Sequence, residues 1–210
     1  MTGIPAKDLS ADRPNIARVY DYLLGGSHNF APDRIFAQEL LAQWPEARDT
    51  MRVNRAFLSR AVRYLAQQAG IRQFLDIGSG IPTMGNVHEI AQQTAPGTHV
   101  VYVDFDPADL LEAQRSILLD PADPTVLAAA RESGIADGYL RHVTGAMETY
   151  SQATAPFQLR SHAEILRFFH GFNLLAPGLV RIPLWRPDDP PEADAPANQI
   201  AGYAGVGLKP

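Results

Sequence analysis

Phe74-Leu75-Asp76-Ile77-Gly78-Ser79-Gly80 is the stretch that decides the fold of this chain. Apolar residues around a single acid suit a short buried strand, and the Gly-x-Gly that follows turns the backbone toward a helix. Glycines at such a turn let a ligand approach the main chain with no side chain in between. Asp76 adds a carboxylate that favours a cationic ammonium or sulfonium group close by. The alternative is a glycine-rich turn that holds no ligand. Downstream, Val87–Thr94 reads as a helix, and Pro96-Gly97 turns the chain into His99-Val100-Val101-Tyr102-Val103-Asp104, a second strand. Two strands joined by a helix make a βαβ unit, which requires a parallel sheet and a right-handed crossover.

The type of turn narrows the ligand. A nicotinamide-binding turn reads Gly-x-Gly-x-x-Gly, and its last glycine falls at Thr83 here. An acid just before the first glycine pair, as Asp76 is with only Ile77 between, is instead common in methyltransferase-type turns. An acid at the tip of the second parallel strand is placed to accept both hydrogens of a ribose diol. Asp104 ends that strand, whereas Asp106, just before Pro107, suits the N-cap of a following helix. Asp104 is therefore the expected ribose ligand. Two roles are open to Phe105: lying against an adenine face, or ordinary core packing.

Toward the N-terminus, three helices precede any strand. Ile16, Val19, Tyr20, Leu23 and Leu24 fall at helical spacing, and Gly25-Gly26 stops that helix. A second starts at Pro32-Asp33, carries Ile35, Phe36, Leu40 and Trp44, and ends before Pro45. A third runs from about Thr50 to Ala69 with Val62, Leu65 and Ala69 on one side and Gly70 as its stop. Together they suggest a helical cap over residues 14–70, leading into a main domain over 71–210. Gly25-Gly26 is read either as a plain helix stop or as the hinge of a polar loop, 27–30, that folds over a cofactor.

Past Asp104 the pattern is unusual. Asp106-Pro107 opens a helix expected to reach Leu118, Asp120-Pro121-Ala122-Asp123-Pro124 breaks it, and another helix follows from Thr125 to Ser133. Only at Tyr139–Val143 does a strand pattern return, and two successive helices are more than one crossover needs. In the last third, Ser161 and Glu164 have capping-box spacing ahead of Ile165, Phe168 and Phe169. Leu179–Leu184 reads as a strand with Pro183 near its end, residues 187–198 as an Asp/Pro-rich loop, and Tyr203–Leu208 as a closing strand paired with the previous one.

Composition excludes several classes of function. The 210 residues contain no cysteine, so disulfides, thiolate-bound zinc and thiol nucleophiles are ruled out. A net charge of −5, with arginines spread along the chain, offers no basic face for nucleic acid. No apolar run approaches a membrane span, and no basic-then-apolar leader opens the chain, so the expected location is the cytoplasm. Histidines 28, 88, 99, 142, 162 and 170 lack metal-ligand spacing; His88 and His170 are expected within helices, in structural roles. Neither a Gly-x-Ser-x-Gly elbow nor a phosphate-binding Gly-x-x-x-x-Gly-Lys loop is present.

Three blocks also carry a family likeness. They are Pro14-Asn15-Ile16-Ala17-Arg18-Val19-Tyr20-Asp21-Tyr22-Leu23-Leu24-Gly25-Gly26 with Asn29-Phe30 and Asp33-Arg34; Phe74–Thr83 with Gly85-Asn86-Val87-His88-Glu89; and Val100–Asp104 with Asp106-Pro107. On these, and on a similar tail from Thr154 to Pro187, the chain resembles the actinobacterial S-adenosylmethionine (SAM)-dependent methyltransferase family DUF574. The resemblance implies an α/β class I methyltransferase (Rossmann-like) sheet with an N-terminal helical cap and SAM as cofactor. Relative to that family several dozen residues are missing at the Leu119–Asp123 junction, so the sheet is expected to be shortened. The first strand is then expected to lie directly beside Tyr139–Val143.

The function that follows is methyl transfer from SAM to a small-molecule acceptor, with no nucleic-acid or membrane partner. The cofactor-binding residues would be Asp76, Gly78, Ser79, Gly80, Asp104 and Phe105. No catalytic residue and no metal ligand is assigned. The alternative is a degenerate SAM- or nucleoside-binding protein without catalysis.

Overall fold

The computed structural model describes residues 12–81, 85–104, 116–118, 160–189, 200 and 202–210. Helix α1 (Ile16–Leu24) begins where the Asn15 side chain accepts hydrogen bonds from the amides of Ala17 at 2.8 Å and Arg18 at 3.2 Å. It ends at Gly25, whose φ of 88° is the left-handed conformation that favours glycine. Helix α2 (Ala31–Gln43) carries Pro32 in its first turn, where the missing N–H has no partner to lose, and its Asp33 accepts the Phe30 amide at 2.8 Å. Phe36, Leu40 and Trp44 are buried, but Ile35, expected beside them, is 58% exposed. The inward stripe runs through 33, 36, 37, 40 and 44, and residue 35 lies on the opposite side of the helix.

Helix α3 (Ala47–Gln67) starts three residues earlier than its sequence pattern suggests. Its first turns join Val19, Leu23, Phe36 and Leu40 in one core, while its later turns face the sheet. There Ala61, Val62 and Ala66 are buried, whereas Ala69 lies past the helix end and is exposed. Gly70, at φ 69°, turns the chain toward the first strand.

Strands β1 (Gln73–Ile77) and β2 (His99–Asp104) run parallel around helix α4 (Val87–Thr94), as the βαβ reading requires. The register sets Asp76 opposite Tyr102 and Ile77 opposite Val103. Phe74, Val100 and Tyr102 pack with Leu58, Val62, Val87 and Ala91, so α3 and α4 cover one face of the sheet. Leu75, one residue out of phase with Phe74, points to the other face and is 61% exposed.

A third strand, β3 (Ser116–Leu118), pairs parallel to β2 and gives the order β1-β2-β3. This corrects the expected helix up to Leu118. The outer edge of β2 offers unpaired amides and carbonyls to any extended segment that reaches it, and that pairing outweighs the local helical spacing. The expected helix over 125–133, the strand at Tyr139–Val143 and the pairing of that strand with β1 lie outside the described residues.

The C-terminal part builds two small antiparallel pairs. Helix α5 (His162–Leu166) opens with the expected capping box: the Ser161 amide donates to Glu164 at 2.7 Å, and the Glu164 amide donates to the Ser161 hydroxyl at 3.3 Å. A 3-10 turn at Arg167–Phe169 follows, and His170 caps that turn rather than sitting inside a helix. Strand β4 (Asn173–Leu174), absent from the sequence reading, pairs with β7 (Gly207–Leu208), and β5 (Val180–Arg181) pairs with β6 (Tyr203–Ala204). The expected strand over 179–184 is thus cut to two residues, because Pro183 has no N–H to donate and the chain enters a 3-10 turn at Ile182–Leu184. The closing segment likewise splits between two partners. Arg60 of α3 anchors this region by donating to the carbonyls of Trp185 at 2.9 Å and Ile182 at 3.0 Å. Trp185 is fully buried, edge-on to Phe57 and Tyr64.

Candidate functional site

The carboxyl ends of β1 and β2 form the candidate site. In open parallel sheets ligands bind there, because the strand-to-helix turns present free backbone amides. Gly78 at φ 71° and Gly80 at φ 64° are both left-handed, so the turn between strand and helix depends on two glycines. A Cβ at Gly78 would meet nothing within 4 Å, leaving the turn open on that side. A Cβ at Gly80 would lie 3.6 Å from the Ala17 Cβ, so α1 passes directly over the turn. Asn86 and Glu89 close the far end: the Glu89 carboxylate accepts the amides of Asn86 at 2.9 Å and Gly85 at 3.1 Å, which fixes the start of α4.

Asp76 is half-buried on β1, level with Tyr102. Asp104 ends β2, one residue past the Ile77–Val103 pair, so the backbones of Gly78 and Asp104 lie side by side at the strand tips. The fold therefore brings Asp76, Gly78, Ser79, Gly80 and Asp104 to one end of one sheet. Phe105 lies outside the described residues. The Ser79 hydroxyl oxygen is buried and has no hydrogen-bond partner.

Tyr102 reports the electrostatics of this corner. Burial pushes its phenol up to about 12, against a usual value of 10.0, and the carboxylates of Asp76 and Glu89 push the same way. A hydrogen bond from the His88 amide at 2.9 Å and the charge of Arg55 pull it partly back. The His88 ring shares a second bond with the phenol through Nδ1 at 2.7 Å, edge-on to the Tyr102 ring. His88 is thus tied into the sheet-side core.

The loop after α1 is held from inside. Asp21 is buried and accepts the Asn29 side-chain amide at 2.9 Å, while Asn29 also donates to the Gly26 carbonyl at 2.9 Å. Any side chain at Gly26 would collide with the Asp21 carboxylate, whose Cγ would lie 2.5 Å from an added Cβ. Gly25 and Gly26 thus do separate jobs: Gly25 supplies the left-handed φ and Gly26 the space. Below them Asp33, wholly buried, accepts Asn15 N, Phe30 N and Arg18 Nε, each at 2.8 Å, and locks α1 to α2.

Arg55 went unnoticed in the sequence. It sits on the inward stripe of α3 with Met51, Leu58 and Val62, and a charged residue in an apolar stripe at that spacing is the signal that would have found it. Its guanidinium lies 5.8 Å from the Tyr20 ring centre, and its Nε is buried without a hydrogen-bond partner. Burial also raises the Tyr20 phenol, offset in part by the Asn54 hydrogen bond and the Arg55 charge. Among the described residues no group of three His, Asp or Glu side chains is placed to hold a metal ion.

Comparison with known proteins agrees with this geometry. A family model described as S-adenosyl methyltransferase matches residues 3–134 and 128–210, two stretches that meet at 128–134. A protein from Thermobifida fusca YX, provisionally assigned as a methyltransferase, is 32% identical with a TM-score of 0.84, over 99% of this chain and 99% of its own. A DUF574 family protein from Streptomyces avermitilis MA-4680 is 31% identical with a TM-score of 0.85, over 95% of this chain and 99% of its own. No curated protein matches.

Proposed function

Because the chain belongs to the S-adenosyl methyltransferase family, whose cofactor is SAM, we propose that it transfers a methyl group from SAM to a small-molecule acceptor at the carboxyl ends of β1 and β2. The observation that carries this reading is the pair of left-handed glycines at the tip of β1, roofed by α1 and level with the acid that ends β2. The residues fit the cofactor: an open glycine turn flanked by Asp76, with buried hydrogen-bonding atoms that lack partners, suits a polar nucleoside ligand. When bound, SAM supplies a methyl group already activated on a sulfonium, so the protein's task is chiefly to orient and to exclude water. In our assignment Gly78, Ser79 and Gly80 present backbone to the amino-acid end, and Asp76 favours its ammonium. Asp104 accepts the ribose hydroxyls, and Phe105, outside the described residues, is assigned to the adenine on the sequence alone. Helix α1 covers the Gly80 side of the turn, and the Gly78 side stays open.

A thermal-shift titration tests the reading directly. SAM or S-adenosylhomocysteine at one hundred times its dissociation constant adds about 2.7 kcal/mol to stability, several degrees for a chain of this size. NAD should produce no shift, because Thr83 stands where its turn needs a third glycine. Cooperative melting that is unmoved by saturating SAM and by S-adenosylhomocysteine would overturn the assignment.

A further inference from the structure

We propose that Arg55, together with the Ser79 hydroxyl, binds the α-carboxylate of the cofactor's amino-acid end; the inference rests on the SAM reading above and adds to it a residue that no likeness assigns. Five buried side-chain nitrogen or oxygen atoms among the described residues lack a hydrogen-bond partner. Two are indole nitrogens, of Trp44 and Trp185. A third, Asp21 Oδ1, lies against Gly26 within the loop after α1. The remaining two, Arg55 Nε and Ser79 Oγ, are both hydrogen-bond donors; Arg55 lies on α3, which packs against the sheet, and Ser79 lies in the turn that leaves β1.

Placement argues that they face one space. A Cβ on Gly80 would come within 3.6 Å of Ala17 of α1, and the Arg55 guanidinium lies over Tyr20 of the same helix. Ala17 and Tyr20 are three residues apart and so share a face of α1. Asp76 stands opposite Tyr102 in the register, on the sheet face that α3 covers, and the Tyr102 phenol feels both its carboxylate and the Arg55 cation. An arginine on the covering helix and a carboxylate on the strand that leads into a glycine turn are the complement of a zwitterion, with Asp76 assigned to the ammonium and Arg55 to the carboxylate.

Two other arginines that point inward show what the Arg55 Nε lacks. Arg18 is satisfied by Asp33 at 2.8 Å, and Arg60 by two backbone carbonyls at 2.9 and 3.0 Å. A guanidinium N–H taken out of water without an acceptor is costly, and an incoming carboxylate removes that cost as it binds. Arginine suits the task because its planar fork offers several donors to a planar anion.

The test separates the amino-acid end from the nucleoside. Calorimetric titration of wild type, Arg55→Gln and Arg55→Lys uses three probes: S-adenosylhomocysteine, decarboxylated SAM and 5′-methylthioadenosine, which has no amino-acid end. Arg55→Gln should weaken S-adenosylhomocysteine on the order of 10- to 100-fold, as expected for a charged hydrogen bond. It should leave the other two probes within about twofold, with Arg55→Lys recovering part of the loss. An unchanged affinity for S-adenosylhomocysteine, or an equal loss for 5′-methylthioadenosine, would overturn the role of Arg55 alone. Should Arg55→Gln fail to fold, wild type still decides: binding decarboxylated SAM as tightly as SAM itself would refute a carboxylate subsite. Failure of wild type to bind any of these nucleosides would instead bring down the proposed function, and this inference with it.

Discussion

Replacing Asp33 with asparagine should be among the most destabilising conservative changes in this protein. The Asp33 side chain is wholly excluded from solvent and accepts three hydrogen bonds of 2.8 Å, from Asn15 N, Phe30 N and Arg18 Nε. Arg18 is itself only 8% exposed, donates to the Arg13 carbonyl at 2.7 Å, and lies 5.2 Å from the Phe30 ring centre. Asparagine keeps the shape but removes the charge and turns one accepting oxygen into a donor that faces another donor. Breaking a buried pair from one side costs about 3–5 kcal/mol, because the other ion stays buried without compensation. At about 2–4 °C per kcal/mol for a chain of this length, the melting temperature should fall by about 6–20 °C. Urea unfolding of wild type and Asp33→Asn measures the loss. Adding Arg18→Met to Asp33→Asn should then restore part of it, since the stranded charge is removed. A loss below about 1 kcal/mol, or a second substitution that destabilises further by its own full amount, would refute the argument. Because the clamp also sets α1 over Gly80, SAM affinity should fall along with stability.

Gly26→Ala should cost about 1–3 kcal/mol through its collision with Asp21, and adding Asp21→Ala should relieve that cost while leaving the strain of Gly25→Ala, at φ 88°, untouched; urea midpoints of the single variants and of the two doubles with Asp21→Ala decide it. Tyr102, with a folded value raised to about 12 from 10.0, contributes stability that is fully present below pH 10 and lost as pH climbs toward 12. Tyr102→Phe should flatten that alkaline decline, and a stability profile equally steep in the variant would remove the assigned cause. Asp104→Ala should weaken SAM more than Asp106→Ala does, by about 1.5–3 kcal/mol against a stability cost of about 1 kcal/mol for a lost cap. Calorimetry showing the reverse order would mean that the tip of the second strand has been set in the wrong register.

The local elements and the turn were legible in the residues themselves. Helix α4 and strand β2 occupy the residues that the sequence assigns them, and Ser161 caps α5 as its spacing with Glu164 predicts. Gly78 and Gly80 take up the left-handed backbone that makes the strand-to-helix turn possible. These features depend on hydrogen bonds and torsions spanning a few residues, so a short window of sequence contains their whole cause. What tertiary structure decided depends on partners far along the chain. Ser116–Leu118 is a strand because the edge of β2 is there to receive it, and Tyr203–Leu208 divides because β4 and β5 compete for its two halves. Leu75 is exposed although apolar, since a strand's alternation says which residues share a face but not which face is covered. Arg55 was one charge on a long helix until folding set its guanidinium against Tyr20 of α1, with its Nε buried and unpaired. A ligand site is made of such convergences, and burial without a partner is a property of the surroundings of a side chain rather than of the side chain itself.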